Sequence, residues 1–209
     1  VLRHLEREGH EALVIAPQGA ALSQASPSGA AIDWAAMNLA HVETALLPAM
    51  PLPTYPDVRI SAPRAARITG ILRDFQPDVV HLASPFVLGW QAQVAADALR
   101  VPTVSVYQTD VIAYAQRYGI AGGAALASAH VARLHRRATL TLAPSRSSLQ
   151  QLESLGVDRL RLWGRGVDAA RFRPDQRDDQ WRAQAAPGRA VIGYVGRLAP
   201  EKQVADLAS

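Results

Sequence analysis

The amino-acid sequence predicts an α/β fold with a Rossmann-like, doubly wound parallel sheet. Short apolar runs alternate with segments of helical length along most of the 209 residues, which is the pattern of successive β–α–β units. The apolar fraction of 49% and the charged fraction of 19% are typical of a globular protein with a buried core. No apolar run reaches the roughly 18–20 residues that a membrane span requires.

The hydrophobic pattern assigns the elements in chain order. Strands are expected near residues 12–16, 79–82, 103–107, 139–143, 160–163 and 191–195. Helices are expected near residues 63–75, 86–99, 111–118, 124–137 and 145–155, the last with Ser145 as its N-cap and Gly156 just after its end. The stretch 18–56 is rich in Ala, Pro, Ser and Gly, and it predicts a loop with one short strand near 41–46.

The turn after the last predicted strand is a candidate ligand site. Lys202 is the only lysine of the chain and lies five residues after Arg197. Gly196 follows the strand, and Pro200 suits the first turn of a helix. The free N–H groups of a helix start, together with an arginine fork and a mobile ammonium, are suited to a diphosphate. The spacing alone leaves open that Arg197 and Lys202 are solvated side chains beside an ordinary helix cap.

Five segments resemble, in the expected order, the GT-B-fold retaining glycosyltransferases of family 4. The segment 196–202 (GRLAPEK) resembles the donor-binding motif that opens the second domain of that family. The segment 163–174 (WGRGVDAARFRP) resembles its interdomain signature, with Arg165 where Asn is common. Residues 5–17 and 77–85 are similar to elements of the first domain, and 107–111 (YQTDV) is most similar to actinobacterial GDP-mannose-dependent α-mannosyltransferases.

The resemblance implies a division into two domains. Residues 1–173 correspond to an acceptor-side Rossmann-like domain without its first strand, 174–188 to an interdomain linker, and 189–209 to the start of the nucleotide-sugar-binding domain. We therefore expect this chain to be a piece of a longer gene product. In the usual strand order the first strand lies at the sheet centre, so its two neighbours are expected to have unpaired edges.

The resemblance also implies a reaction. A sugar, most simply mannose from GDP-mannose, is transferred with retention of configuration to a lipid or glycan acceptor. Gly196, Arg197 and Lys202 correspond to donor-binding positions, and the two cations would stabilise the diphosphate charge as it develops. The leaving phosphate takes the acceptor proton in this family, so no metal, cofactor or dedicated protein base is expected. The paired glutamates of the family would lie beyond Ser209, which predicts that this chain alone is inactive.

Gln108 and Asp110 are the candidate catalytic residues of the first domain. They follow a strand directly and are therefore expected at the carboxyl edge of the sheet. Relatives often have His at the position of Gln108, and Gln donates hydrogen bonds but does not titrate near neutral pH. Asp110 is interpreted in two ways, as the N-cap of the helix that begins at Val111 or as a group that contacts the sugar or the acceptor.

Other polar residues carry weaker patterns. Arg165, Gly166 and Asp168 are interpreted as the hinge between the domains. His81 and Ser84 follow a predicted strand and are expected to satisfy nearby backbone groups. The histidines do not occur at metal-ligand spacing, and the chain has no cysteine, which excludes disulfides and thiolate chemistry.

The charge balance indicates anionic partners. The formal net charge is +4, and arginines at 133, 136 and 137 cluster at one predicted helix end. This cluster is interpreted either as a solvated helix end or as a surface attracted to anionic lipid. No stacking aromatics accompany the arginines, so nucleic acid is not an expected partner. A cytoplasmic location, with peripheral contact to the inner face of the membrane, follows from the resemblance.

Three alternatives stay open at this stage. A UDP-sugar can replace GDP-mannose as the donor, because the base contacts of the family lie in its second domain. A noncatalytic acceptor-binding module can be built from the first domain alone. A sugar-nucleotide epimerase shares the fold but needs titratable acids that are not evident in this sequence.

Overall fold

The computed structural model describes residues 2–18, 42–52, 55–83, 86–117, 122–164, 166–196 and 204–207. The strands are β1 (Ala12–Pro17), β2 (Val42–Leu47), β3 (Met50–Leu52), β4 (Tyr55–Ile60), β5 (Val80–Leu82), β6 (Thr103–Val106), β7 (Leu140–Ala143) and β8 (Leu160–Leu162). The helices are α1 (Leu2–Arg7), α2 (Ala65–Phe75), α3 (Val87–Leu99), α4 (Val111–Arg117), α5 (Gly123–Arg137), α6 (Arg146–Ser154) and α7 (Asp179–Ala185). Short 3₁₀ turns cover Pro174–Gln176 and Val204–Leu207.

The strands form parallel sheets, and the predicted α/β class is confirmed. Strands β5, β6, β7 and β8 follow one another in a four-stranded parallel sheet, while β1 and β2 form a separate parallel pair. Within the described residues, β1 pairs only with β2 and β5 only with β6. Among the described residues, β1 and β5 therefore each have one unpaired edge.

Most predicted elements are confirmed to within two residues. Ser145 is the N-cap of α6, because its side chain accepts a hydrogen bond from the Ser148 N–H. Gly156 follows that helix with φ of +75°, the left-handed conformation that a residue just after a helix commonly adopts. Both ends of this helix could be predicted from the sequence because the N-cap and the glycine depend on local backbone geometry.

Two sequence-based assignments of secondary structure require correction. The predicted loop 18–56 also contains β3 and the start of β4, which pair as an antiparallel hairpin with an irregular register after Pro51. The predicted strand 191–195 is not a strand; its side chains are exposed, with Val195 fully so. A strand requires a hydrogen-bonding neighbour, and the described residues supply none here. The segment 174–188, which stays a predicted linker, contains α7, whose N-cap Asp178 accepts a hydrogen bond from the Trp181 N–H.

Two clusters of buried side chains hold the described elements together. Ile68 and Leu72 of α2 pack against Ala95 and Ala96 of α3, and Ile15 of β1 and Val80 of β5 contact the same cluster. The second cluster joins α4, α5 and α6 to the ends of β6 and β7, and comprises Tyr107, Ile112, Val131, Ala143, Leu152 and Val157. Apolar burial of this kind contributes about 25 cal/mol per Å². Among the described residues, no helix is both long and apolar enough to cross a membrane.

Candidate functional site

The candidate site lies where three neighbouring parallel strands end. The chain leaves β6 at Tyr107, β7 at Pro144 and β8 at Trp163. Backbone bonds from the Tyr107 N–H to the Leu142 carbonyl (2.9 Å) and from the Trp163 N–H to the Ala143 carbonyl (2.8 Å) continue the sheet to this edge. In open parallel sheets ligands bind at this edge, so the side chains that follow these strands are the first to consider.

A tight turn directs Gln108 out of the sheet. The Gln108 N–H donates to the Val106 carbonyl at 3.1 Å, a three-residue turn of the kind that often ends a strand. Tyr107, at the turn's centre, is 3% exposed, whereas Gln108 is exposed. The Gln108 amide has no hydrogen-bond partner in the described part of the chain, so its donors and acceptor are available to a ligand at the edge.

Asp110 caps α4, as one of its two interpretations predicts. Its Oδ1 accepts a hydrogen bond from the Ala113 N–H at 3.0 Å, which satisfies one of the free donors of the first helical turn. The side chain is half-buried. Ligand contact, the second interpretation, stays a prediction and is compatible with capping because capping uses only one carboxylate oxygen.

Two residues to which the sequence analysis gave no individual role, Tyr107 and Gln151, lie beside the Asp110 carboxylate. The Tyr107 hydroxyl lies 3.1 Å from Asp110 Oδ1 and 3.2 Å from Gln151 Oε1. Gln151 Nε2 lies 3.5 Å from both oxygens of Asp110. Gln151 belongs to α6, which follows β7. The sequence indicates its role only indirectly, because segments that follow neighbouring parallel strands start at the same edge of the sheet.

His135 lies behind Tyr107 in the core. The two rings meet edge to face, with centroids 5.6 Å apart, and His135 is 1% exposed. Its Nδ1 is 3.2 Å from Thr141 Oγ1, while Nε2 has no partner among the described residues. Burial, with a smaller contribution from the charge of His130, lowers the pKa of His135 to about 4. The imidazole is therefore neutral at physiological pH.

Tyr107 stays protonated for a similar reason. Burial raises the pKa of the Tyr107 hydroxyl well above its usual range, and the nearby Asp110 carboxylate and its hydrogen bond add to the rise. A protonated hydroxyl has one proton, which it donates to Asp110 or to Gln151. Tyr107 therefore supplies a fixed donor to this cluster.

The hinge residues are described in part. The Asp168 side chain accepts hydrogen bonds from the N–H groups of Ala170 and Arg171, both at 3.1 Å, and so stabilises a turn. Gly166 is exposed, and Arg165 lies outside the described residues. Asp168 thus stabilises a local turn, and the role of these residues as a hinge between domains stays a prediction.

The donor-site prediction falls largely outside the described residues. Arg197 and Lys202 belong to 197–203, which is not described; Gly196 is exposed and ends the described segment. A Cβ at Gly196 would lie 2.7 Å from the Tyr194 hydroxyl, so a side chain there requires the tyrosine to move. The described residues contain no group of three or more side chains arranged to hold a metal ion.

His81 contacts Trp163 across the end of the sheet. The ring centroids are 6.4 Å apart and the rings meet at 73°. Ser84, the other polar residue predicted after β5, lies outside the described residues. The His81 contact is with a side chain, whereas the sequence predicts a contact with local backbone.

The arginines at the end of α5 each have an intramolecular partner. Arg133 lies with its Cζ 4.0 Å from the centroid of the Trp90 ring, and Arg136 donates to the Leu155 carbonyl. Arg137 forms an ion pair with Asp97 at 2.5 Å. These contacts favour the helix-end interpretation of the cluster, because they use the guanidinium groups that a lipid headgroup would need.

Residues 1–171 match the sequence profile of Glycosyltransferase Family 4. The chain belongs to this family. The match covers the whole of the described sheet and the cluster around Asp110, so the family assignment agrees with the resemblance that the motifs indicate.

Two curated relatives align along the full length of this family member, and a third aligns with part of it. It is 43% identical over 209 residues to a GDP-mannose-dependent alpha-mannosyltransferase of Mycolicibacterium smegmatis, covering 100% of this chain and 53% of the relative. A protein of the same name from Corynebacterium glutamicum is 39% identical, with coverage of 100% and 48%. A sulfoquinovosyl transferase of Arabidopsis thaliana is 34% identical over 74% of the chain and 31% of its own length. The chain spans about half the length of the curated relatives it matches.

The chain also has a low similarity to a solved structure. A UDP-GlcNAc 2-epimerase from Neisseria meningitidis is 13% identical, with a TM-score of 0.42 over 73% of this chain and 45% of that one.

Proposed function

We propose that this member of Glycosyltransferase Family 4 acts as a retaining mannosyltransferase that moves mannose from GDP-mannose to a hydroxyl of a lipid or glycan acceptor. The observation that carries the proposal is the alignment of the whole chain, at 39–44% identity, with relatives named GDP-mannose-dependent alpha-mannosyltransferases. A polar cluster at the carboxyl edge of a parallel sheet supports it, since this edge is where such folds bind ligands.

Arg197 and Lys202 are the proposed donor-binding cations. Breaking the glycosidic bond leaves negative charge on the diphosphate, and a cation fixed beside it binds the transition state more strongly than the ground state. An arginine fork and a lysine are complementary in this role, because one provides directional bonds and the other a compact charge. Gly196 is proposed to allow the backbone to approach the phosphates closely.

Gln108 and Asp110 are the proposed contacts on the side of the first domain. Gln108 is exposed at the edge, and its amide can donate to a sugar hydroxyl or a phosphate oxygen. Gln108 does not titrate near neutral pH, so the acceptor proton is proposed to leave with the departing phosphate. This route needs neither a metal nor a further cofactor.

The acceptor is proposed to be lipid-linked or a glycan, met on the cytoplasmic side of the membrane. The net charge of +4 supports an encounter with anionic surfaces. Nucleic acid is not a proposed partner.

The test is transfer of radiolabelled mannose from GDP-mannose to a membrane lipid extract by the full-length protein carrying residues 1–209. Arg197→Ala and Lys202→Ala are each expected to reduce transfer by roughly 100-fold or more, the scale for loss of a group that stabilises transition-state charge. Arg189→Ala is the matched control, since Arg189 is an exposed arginine eight positions before Arg197; it should retain the parent rate.

The alternatives give different results in the same assay. Transfer from UDP-glucose but not from GDP-mannose would leave the family assignment unchanged and show that the donor is a UDP-sugar. Binding of the lipid extract without transfer from either donor would favour a noncatalytic acceptor-binding module. Interconversion of the sugar nucleotide without transfer would favour an epimerase.

A further inference from the structure

We infer that Asp110 binds a sugar or polyol hydroxyl through its Oδ2 atom, and that Tyr107 and Gln151 position its carboxylate for this contact. The identity of the ligand as a hydroxyl of the donor sugar or of the acceptor rests on the proposed function. The position of the carboxylate rests only on the geometry of the described residues.

The Asp110 carboxylate receives more donors than a helix cap requires. One oxygen that accepts from the Ala113 N–H is sufficient to cap α4. The Tyr107 hydroxyl lies 3.1 Å from the same oxygen and is a second donor available to it. Capping therefore accounts for Ala113 but not for Tyr107 or Gln151, which come from the end of β6 and from α6.

These contacts divide the two oxygens of Asp110 into unlike roles. Oδ1 accepts from the Ala113 N–H and lies within hydrogen-bond distance of the Tyr107 hydroxyl, whereas Oδ2 has only Gln151 Nε2 nearby, at the long distance of 3.5 Å, among the described residues. A carboxylate oxygen can accept about two hydrogen bonds. Since the side chain is half-buried rather than enclosed, Oδ2 retains acceptor capacity that a ligand hydroxyl can reach.

The positioning residues are themselves held in place. Tyr107 is 3% exposed and belongs to the core cluster that includes Val131 and Leu152. Gln151 is one residue before Leu152, which is fully buried and anchors α6 to the same cluster. An acceptor fixed in this way loses little freedom when a hydroxyl binds, which is the arrangement that a preorganised site needs.

The experiment measures binding of two probes by the full-length protein carrying residues 1–209. The probes are GDP-mannose, for the donor sugar, and octyl α-D-mannoside, for a polyhydroxyl acceptor. Tyr107→Phe and Gln151→Leu are each expected to weaken one probe by roughly tenfold and to leave the other unchanged. The weakened probe identifies which hydroxyl Asp110 accepts from. Gln150→Leu is the control, since Gln150 is the exposed neighbour on α6, and it should change neither dissociation constant.

A double-mutant cycle separates positioning from a purely structural role. Asp110→Ser keeps an oxygen that can cap α4 but is too short to reach Tyr107 or the ligand. In this background Tyr107→Phe and Gln151→Leu should have no further effect on binding, because both act through Asp110. The part of any melting-temperature change that reflects packing should persist in that background, since packing does not depend on the ligand contact.

Four outcomes would overturn the inference. The first is that the dissociation constants are unchanged in Tyr107→Phe and Gln151→Leu, and the second is that binding of both probes weakens equally while the melting temperature falls. The third is that these variants still weaken binding in the Asp110→Ser background. The fourth is that the parent protein binds neither probe. The transfer assay reports separately on the proposed function. If the double-mutant cycle gives the expected result but no mannose is transferred, the hydroxyl site stands and the proposed activity is rejected. If mannose is transferred but the cycle does not give the expected result, the activity stands and the hydroxyl site is rejected.

Discussion

Thr103 and Thr139 exchange hydrogen bonds at the entrance of two paired strands. The Thr103 N–H donates to Thr139 Oγ1 at 3.0 Å, and the Thr139 N–H donates to Thr103 Oγ1 at 3.2 Å. Thr103 begins β6 and Thr139 precedes β7, whose ladder starts one residue later with Val104 opposite Leu140. The two hydroxyls therefore extend the sheet by one step where backbone pairing has not yet begun.

This pair of hydrogen bonds predicts that replacing the exposed Thr139 lowers the free energy of unfolding more than replacing the buried Thr103. Thr139 is exposed and Thr103 is 1% exposed, so Thr139→Val leaves a buried N–H without an acceptor and should cost about 1–3 kcal/mol of unfolding free energy. Thr103→Val leaves only the Thr139 N–H, which water can reach, and should cost less than about 1 kcal/mol. Urea unfolding followed by circular dichroism measures both, with Thr139→Ser as the control that keeps the hydroxyl. An equal or larger cost at Thr103 would contradict the argument.

We predict that the free energy of unfolding falls in mildly acidic solution because His135 is buried in its neutral form. Its pKa is about 4 in the folded protein and about 6.5 in an unfolded chain, so the unfolded state takes up a proton first as the pH falls. The contribution of the neutral imidazole is fully present above pH ~6.5 and is lost between about pH 6.5 and 4, by on the order of 3 kcal/mol at most. The groups that face His135 are the Tyr107 ring, Thr141 and His130.

The measurement is the unfolding free energy of the parent and of His135→Gln across this pH range. The variant should lose less stability on acidification, because its amide does not titrate. His4→Gln is the control, since His4 is solvent-exposed; it should follow the parent curve. Parallel curves for all three proteins would exclude His135 as the source.

Two glycines are predicted to respond to alanine in opposite directions. Gly156 has φ of +75°, and a Cβ there would lie 3.0 Å from Arg136 Nη2. Gly156→Ala should therefore destabilise the protein by about 1–2 kcal/mol. Gly70 lies within α2, and a Cβ at this position would meet no other atom within 4 Å, so Gly70→Ala should stabilise the protein by roughly 0.5–1 kcal/mol. Thermal denaturation of both variants checks the signs, and a shared sign would contradict the backbone argument.

The ion pair between Asp97 and Arg137 predicts a small, salt-dependent contribution. Asp97 Oδ2 accepts from Arg137 Nε at 2.9 Å, and Oδ1 accepts from Gln93 Nε2 at 2.7 Å. Because both charged groups are partly exposed, Asp97→Asn should cost less than about 1 kcal/mol, and about 1 M salt should remove most of that cost. Asp158→Asn is the control, since its contact with Arg159 is 3.9 Å long and exposed. A cost unaffected by salt would indicate packing rather than charge.

Elements with a strong local pattern were predictable from the sequence. The helix α5 and the strand β7 agree with their predicted bounds to within one residue, because periodic apolar residues and end signals act over a few positions. The run 191–195 has the composition of a strand but is exposed and unpaired in the described part of the chain. Composition reports the tendency to form a strand, whereas pairing depends on a neighbour distant in sequence.

The candidate site also combines features that the sequence predicted with features that only the structure shows. The sequence by itself determined the family, the α/β class and the positions of Gln108 and Asp110 directly after a strand, because motif spacing and strand ends are local properties. Only the tertiary structure decided that Gln151, 41 residues later, lies beside Asp110 and that the Tyr107 hydroxyl faces both. The physical reason is that parallel pairing of β6 and β7 brings the start of α4 and the middle of α6 to one edge of the sheet.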